Sequence, residues 1–306
     1  MAREVKPSPL ETAVLWEIAR YRFINVELLH RVVDAPRGSI RDAARRLRVL
    51  GLIGSTAPKA RKFDPDTEDK RREFGKPALF WVVTKGERHL AEQRAHDPRV
   101  PFVLASDRRT GTKNEVEHRL GIAAIHIAFR QWTERRGFPG VSFLCDFEPG
   151  SQGFEKVTAI PYLWKGKPVT FSPDGFARFR LAEGAAKELL VIEFERGGAG
   201  HALGEFFRDK LPGIRRAAAF DVVERAKLPG QDNAAPFLIV FATAKMRTAA
   251  LHDWPEQAAP VWGRFFVKAL DELEAPEADF SRGWWRIGGG RCDLYAAVPA
   301  LSAETG

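Results

Sequence analysis

Apolar residues recur at helical spacing over the first fifty positions of the 306-residue chain. Good helix starts precede three such runs: Ser8-Pro9 before the first, Asn25 before the second and Ser39 at the third, which stops at Gly51. The spacing therefore predicts three short helices that pack together. Their apolar positions are Leu10, Val14, Leu15, Ile18, Leu28, Leu29, Val32, Ile40, Ala43, Ala44, Leu47 and Leu50.

Short extended runs replace the helical pattern after Gly51. The segments 52–55 and 78–84 are rich in residues that favour strands, and a charged loop separates them. A further short helix begins at Thr84. Three helices, a hairpin and a helix form the element order of a winged helix-turn-helix domain, which is predicted over residues 1–95.

The next segment, 96–112, is polar and is interrupted by two prolines, so we expect it to be a linker. Residues 113–300 then alternate helical and strand signals, which predicts an α/β domain. Its predicted helices are 114–136, 202–220 and 261–273, and its predicted strands are 141–147, 157–163, 169–179, 188–194, 237–243, 284–287 and 293–298. The predicted fold class is α+β.

The basic excess of the chain lies entirely in its first third. The net charge is +8, and residues 1–112 hold 23 Lys and Arg against 15 Asp and Glu, whereas residues 113–306 hold 25 of each. This asymmetry favours a polyanion-binding module joined to an electrically balanced domain, with double-stranded DNA as the expected partner. A solvated basic face without a partner is the alternative.

Cysteine usage and hydropathy point to a cytoplasmic protein. Cys145 and Cys292 are too few for a disulfide framework and lack the paired spacing of a zinc site. No stretch approaches eighteen uninterrupted apolar residues, and the N-terminus lacks the apolar run of an export signal. We therefore expect no membrane partner.

The third predicted helix carries arginines away from its apolar side. Arg41, Arg45 and Arg48 are spaced to share one face, and Arg46 lies beside them. Guanidinium groups on such a face suit the major groove, and Ser39 is placed to donate to a phosphate. Basic residues of the following loop fall where a wing would reach the DNA: Lys59, Arg61, Lys62, Lys70, Arg71 and Arg72. A solvated Arg-rich helix is the alternative interpretation.

Two carboxylates of the second domain are predicted to converge at one edge of a sheet. Asp174 follows Ser172-Pro173 in a turn, and Glu193 ends the next predicted strand. With Glu117 or Glu115 of the long helix as a third oxygen donor, they would hold Mg²⁺ or Mn²⁺, which activates water for attack on a phosphodiester. This is the Pro-Asp…(Asp/Glu)-x-Lys arrangement of restriction-endonuclease-like folds.

The sequence departs from that arrangement at its last position. Glu195 stands where a lysine is expected, and a carboxylate cannot stabilise the attacking hydroxide as an ammonium would. Lys210 on the following predicted helix is the candidate substitute, ahead of Arg196. The catalytic set of an active enzyme would be Asp174, Glu193 and Lys210. In the alternative, Glu193 and Glu195 form a solvated pair at a sheet edge and the domain is not catalytic.

Several segments, in this order, resemble the replication-relaxation family of plasmid and mobile-element proteins. They are Leu10 to Leu29, Arg45 to Ile53, Phe80 to Gly86, Glu117 to Leu120, Pro173-Asp174, Glu193 to Gly197, and Lys210. The resemblance implies a winged-helix DNA-binding protein linked to plasmid replication, DNA relaxation or mobilisation. It also implies a degenerate nuclease fold, since an acidic residue commonly stands at the lysine position in that family and catalysis is not expected.

We therefore expect a regulatory protein of a mobile element that binds duplex DNA and controls transcription, replication or transfer. The second domain is expected to support dimerisation, a further DNA contact or a partner, without a cofactor. A metal-dependent nuclease or nickase is the alternative. A second domain that senses a small ligand is the third interpretation.

Overall fold

The computed structural model describes residues 6–56, 78–101, 113–146, 157–196, 202–225, 234–254, 263–275 and 278–295. The chain is a mixed α+β protein that divides into two compact units, Met1–Ala123 and Ala124–Gly306. The division lies within a long helix, Lys113–Arg136, whereas the sequence-based boundaries place a linker at 96–112. Most of that predicted linker, 102–112, lies outside the described residues.

The described part of the first unit contains four helices, the first turns of a fifth and a small antiparallel sheet. In chain order its elements are α1 (Pro9–Tyr21), β1 (Ile24–Asn25), α2 (Val26–Val32), α3 (Arg37–Val49), β2 (Ile53–Ser55), β3 (Leu79–Val82), α4 (Thr84–Arg94) and the first turns of α5 (Lys113–Arg136). Strand β3 pairs with both β1 and β2, which gives the order β1-β3-β2. The three predicted helices and the hairpin are confirmed, and β1 is an addition of only two residues.

Local chemistry explains these helix boundaries. The Ser8 hydroxyl accepts from Glu11 N at 3.3 Å, and the Glu11 carboxylate accepts from Ser8 N at 2.8 Å, which forms a capping box for α1. Asn25 caps α2 by accepting from Leu28 N at 2.9 Å. Gly51 adopts a positive φ of 72° after α3, a conformation that glycine takes without steric cost.

The second unit is built around a seven-stranded sheet. After α5 its elements are β4 (Ser142–Cys145), β5 (Ile160–Trp164), β6 (Lys167–Phe171), β7 (Gly175–Arg180), β8 (Lys187–Glu195), α6 (Ala202–Glu205), a π-helical segment (Phe206–Lys210), α7 (Leu211–Ala219), α8 (Val222–Arg225), β9 (Phe237–Phe241), α9 (Ala244–His252), β10 (Phe265–Ala269), α10 (Leu270–Glu274), β11 (Trp284–Arg286) and β12 (Gly290–Cys292). The order is β12-β11-β10-β9-β8-β7-β4, with parallel pairs at β8–β9 and β9–β10. Strands β5 and β6 form a separate hairpin.

Two predicted elements of this unit are wrong. The middle of the predicted helix 261–273 is strand β10 (Phe265–Ala269), and the helix there is confined to Leu270–Glu274; residues 261 and 262 lie outside the described residues. A short apolar run is typical of both a buried strand and a buried helix, and here pairing with β9 decides the outcome. The predicted strand 169–179 is two strands, β6 and β7, because the chain turns at residues 172–174.

The end of the sheet also differs from the prediction. Strand β12 lies at Gly290–Cys292, before the predicted strand 293–298, of which 296–298 lie outside the described residues. Helix α9 (Ala244–His252) was not predicted, although Thr243 caps it by accepting from Met246 N at 3.2 Å.

The sheet is covered on both faces, which buries the interior strand β8. On one face, Phe179 of β7 packs against Phe129 and Trp132 of α5. On the other, Ile214 of α7 belongs to the hydrophobic cluster that includes Val191 of β8. Residues 189–194 are all buried, as expected of a strand covered on both sides. Among the described helices, none has the length and apolar character needed to cross a membrane.

Candidate functional site

Asp174 lies in the short connection between β6 and β7, where its backbone is held closely against β4. Its carbonyl oxygen accepts from Asp146 N at 2.9 Å. The next residue is Gly175, and a Cβ atom there would lie 3.1 Å from the carbonyl oxygen of Leu144. Glycine therefore permits the close strand approach that fixes Asp174 at the edge of β7.

Glu193 lies on β8, an interior strand between β9 and β7, and is 2% exposed. In the β8–β9 register it stands opposite Ile239, a member of the cluster beneath α7. Because alternate residues of a strand share a face, Glu193 lies on the same side of the sheet as Val191. The alternative of a solvated edge pair is therefore wrong for Glu193, although Glu195 is half-exposed.

Lys210 reaches the carboxylates from the helical segment that follows β8. This segment widens locally, since Leu211 N donates to Phe206 O five residues earlier, the bonding pattern of a π-helix. Pro212 follows at once and lacks the N–H that an α-helix would direct at the carbonyl of Arg208. The widened turn thus lies directly before the proline and carries Lys210 at its end.

The three side chains meet in one centre, which we call the carboxylate–lysine centre. Lys210 Nζ lies 2.9 Å from Glu193 Oε2, as an ion pair without the alignment of a hydrogen bond. The same ammonium donates to Asp174 Oδ2 at 3.2 Å and to the Phe194 carbonyl at 3.3 Å. Asp174 Oδ2 also accepts from Phe194 N at 2.7 Å. One ammonium therefore bridges two carboxylates and the backbone of β8.

Burial and charge set the protonation of this centre. Burial raises the pKa of Glu193 to about 8, with Lys210 acting to lower it and Asp174 acting to raise it. The pKa of Lys210 is itself raised, because the carboxylates around it together outweigh the opposing effect of burial. Near neutral pH one proton remains largely on Glu193, and the centre carries little net charge.

A divalent cation would need the same oxygens that the ammonium contacts. Two carboxylates and a carbonyl are a suitable donor set for Mg²⁺ or Mn²⁺. In the arrangement of this structure, however, Lys210 Nζ lies among them, so the residues do not fit a metal ion there without displacement of the lysine. In the described part of the chain, no group of three or more acidic, His or Cys side chains is arranged to hold a metal.

The structure thus brings together Asp174, Glu193 and Lys210 of the predicted site. Glu195 contributes to the raised pKa of Lys210. It therefore acts on the centre as an additional negative charge and does not supply the positive charge that the lysine of the nuclease arrangement would. Glu117 lies on α5 within the first unit, and its role as a third metal ligand stays a prediction. The side chain of Glu115 lies outside the described residues.

The second candidate surface is the outer face of α3. Its apolar side is buried through Ile40, Ala43, Ala44 and Leu47, and the opposite side carries arginines. Arg41, Arg45 and Arg48 are exposed, as predicted, and at 100° per residue they lie within one narrow sector of the helix. Arg45 pairs with Asp42 at 3.0 Å, and Arg48 donates to Ser55 of β2 at 3.2 Å.

Arg37 joins this arginine face, a position that the sequence reasoning missed. Helix α3 begins at Arg37 and not at Ser39, which places Arg37 one turn before Arg41. Because of Pro36 and Gly38, the sequence predicted that α3 would start later, at Ser39. A proline just before a helix and a glycine in its first turn are, however, both tolerated. Arg37 pairs with Glu27 of α2 at 2.9 Å, and both side chains are about half exposed.

Arg46 lies beside this face and has a different partner. Its guanidinium is 3.0 Å from Glu11, the buried capping residue of α1. Arg46 thus ties α3 to α1. Ser39 lies in the first turn of α3 and is half-buried. The predicted wing residues, which are Lys59, Arg61, Lys62, Lys70, Arg71 and Arg72, lie outside the described residues.

Comparison with known proteins adds no relative. The chain matches no protein-family model, no curated protein sequence and no solved structure.

Proposed function

We propose that this protein binds double-stranded DNA through α3 and acts as a DNA-binding regulator. The observation that carries the proposal is the arginine face of α3, formed by Arg37, Arg41, Arg45 and Arg48. An α-helix fits the major groove, where arginine can bridge two acceptors of guanine or bind phosphate oxygens. Glu27 and Asp42, which pair with Arg37 and Arg45, are not buried, so DNA phosphates can replace them.

The architecture around α3 supports this assignment. Three packed helices followed by an antiparallel hairpin, with a short strand from before α2 added to the sheet, are the arrangement of winged helix-turn-helix domains. In such domains the last of the three helices enters the major groove. The basic excess of residues 1–112 supplies the attraction to a polyanion that such docking requires.

The biological role follows from the resemblance to the replication-relaxation family. We assign the protein to control of transcription, replication or transfer of a mobile element. The second unit supports that role as a scaffold of the restriction-endonuclease-like type whose lysine comes from a helix instead of the strand. On this account the carboxylate–lysine centre stabilises the scaffold, and the unit provides dimerisation, a further DNA contact or a partner surface.

Fluorescence anisotropy with a duplex oligonucleotide tests the proposal. The variant Arg41→Ala/Arg45→Ala should lower duplex affinity by tenfold or more, on the order of 1 to 3 kcal/mol if one contact is to a base. Arg88→Ala/Arg99→Ala is the matched control, because it removes the same charge from exposed residues of the same unit away from α3. Equal duplex affinity of the two variants would show that α3 does not contact the DNA.

A metal-dependent nuclease is the second candidate function. It is favoured by the convergence of Asp174, Glu193 and Lys210, the residue types of the restriction-endonuclease-like site. A divalent cation would supply an activated water for phosphodiester attack. Incubation with supercoiled plasmid, with Mg²⁺ or Mn²⁺ and with chelator, distinguishes the two functions. Metal-dependent nicking that is lost in Asp174→Ala would establish the nuclease, whereas shifted but uncut plasmid supports the regulator.

A further inference from the structure

The β5–β6 hairpin ends in a tip that neither candidate site uses. Its turn residues, Lys165 and Gly166, have φ values of 49° and 75°. Two successive positive φ values are the signature of the tight type I′ turn, which suits the twist of a hairpin. Trp164 pairs directly with Lys167 across this turn. The hairpin tip, residues 163–167, therefore has a defined shape.

The Trp164 ring organises the cations around the tip. Phe220, just after α7, meets this ring edge-on with the ring centroids 4.8 Å apart. The Arg216 guanidinium lies 5.1 Å from the ring centroid, and the Lys165 ammonium lies 5.6 Å from it. Cation–π contacts hold these groups in place while leaving their charge intact.

Positive charge accumulates at this place. Lys165 and Lys167 are exposed, and Arg216 is half-buried. Within the described part of the second unit, no carboxylate forms an ion pair with any of these three cations. The second unit is electrically balanced as a whole, so this local excess marks the tip as a surface for an anionic partner.

Apolar surface lies beside the charge. Phe220, whose ring contacts Trp164, is 38% exposed. It is one of the large hydrophobic side chains that are exposed among the described residues. A partner that combines negative charge with flat apolar groups would cover both parts of the surface.

We propose that the hairpin tip binds single-stranded nucleic acid, with phosphates on Lys165, Lys167 and Arg216 and an unpaired base against Phe220. Base faces are accessible to side chains in a single strand, whereas a duplex keeps them stacked. This second nucleic-acid site is separate from α3 and does not rest on duplex binding by that helix.

The tip is joined to the carboxylate–lysine centre by two elements of the same unit. Helix α7 begins directly after Lys210 and ends directly before Phe220, a rise of about 15 Å. Strand β6 starts at Lys167 in the tip and ends shortly before Asp174. The tip and the centre therefore lie at opposite ends of α7.

Anisotropy of the full-length chain with a fluorescein-labelled oligothymidylate tests the proposal over a range of salt concentrations. Lys165→Gln/Lys167→Gln should lower affinity about tenfold and reduce the logarithmic salt slope by about 1.4, since each contact to a single strand contributes about 0.7. The control Lys187→Gln/Lys245→Gln makes the same change of charge elsewhere in the unit and should behave as the unmodified chain. Equal behaviour of the two variants overturns the proposal.

Two further arms identify the partner and the site. Phe220→Leu leaves the charge unchanged and should weaken oligothymidylate binding about fivefold if a base stacks on the Phe220 ring. Vesicles with anionic headgroups test a lipid surface, and a tip variant that loses vesicle binding but keeps oligothymidylate affinity overturns the proposal. Oligothymidylate binding should persist in Arg41→Ala/Arg45→Ala, and its complete loss there would assign all binding to α3.

Discussion

Lys210 Nζ lies 2.9 Å from Oε2 of Glu193, a contact that joins the π-helical segment to the interior strand β8 of the sheet. Asp174 shares the same ammonium at 3.2 Å. Two ionised carboxylates and one ammonium would leave an excess of negative charge. The proton on Glu193 removes that excess near neutral pH. The centre is thus a coupled unit whose stability depends on all three side chains.

Removal of the ammonium should destabilise the second unit. Lys210→Met leaves two buried carboxylates without a cation, and we expect a loss of about 1 to 3 kcal/mol of unfolding free energy, below the usual range for buried pairs because the Lys210 side chain is 32% exposed. Urea unfolding measures this loss. Lys245→Met, at an exposed lysine of α9, is the control. If the carboxylate–lysine centre did not contribute to stability, Lys210→Met and Lys245→Met would have the same unfolding free energy.

The raised pKa of Glu193 gives the centre a pH dependence. Its folded-state pKa of about 8 exceeds the ordinary value of 4.5, so the folded protein binds more protons between these values. The contribution of protonated Glu193 to the unfolding free energy is fully present below about pH 4.5 and is lost as pH rises through about 8. The unfolding free energy should therefore fall relative to Glu193→Gln between about pH 5 and about pH 9. A constant difference between the two proteins would show that Glu193 is ionised throughout.

A second buried group should act in the opposite direction at higher pH. Burial lowers the pKa of Lys268 on β10 from 10.5 to about 8, with Glu272 and Asp279 opposing the shift. Its ammonium donates to the Arg282 carbonyl at 2.7 Å. Because the unfolded chain binds more protons between about pH 8 and 10.5, stability from this group should rise across that window. Lys268→Met should remove the rise in urea unfolding experiments, and parallel curves for the two proteins would contradict this origin.

The secondary structure near the chain start was predictable because its signals are local. Ser8 and Asn25 act as caps in the structure, as their residue types and positions indicated. The strand β10 was not predictable in this way, since the run Phe265–Ala269 becomes extended only through pairing with β9, which is remote in sequence. Propensity carries no information on that pairing.

The residues of the candidate site were predictable from the sequence, but the burial of Glu193 and the helix geometry around Lys210 were not. The sequence placed Asp174, Glu193 and Lys210 as one set, and the structure brings them together. What spacing could not reveal is that Glu193 is deeply buried and that Lys210 arrives on a π-helical segment. Burial depends on the covering of both sheet faces, and the widened turn depends on Pro212 within a helix.

The partner of Arg46 separates stability from DNA binding on α3. Arg46 pairs with the buried carboxylate of Glu11, whereas Arg41 and Arg45 point outward. Arg46→Ala should therefore lower the unfolding free energy by about 1 kcal/mol or less, because the arginine itself is largely exposed. Relative to the unmodified chain, Arg46→Ala should lose less duplex affinity than Arg45→Ala does. Thermal unfolding and anisotropy on the same samples measure the two effects, and a reversed order would assign Arg46 to the DNA contact.

The salt dependence of duplex binding tests the central claim most directly. Each phosphate contact on duplex DNA contributes about 0.9 to the slope of log affinity against log salt. If Arg41 and Arg45 contact phosphates, the variant Arg41→Ala/Arg45→Ala should have a slope smaller by about 1.8, whereas Arg88→Ala/Arg99→Ala keeps the original slope. Duplex binding with the same slope and affinity in all three proteins would contradict a DNA-binding role for α3.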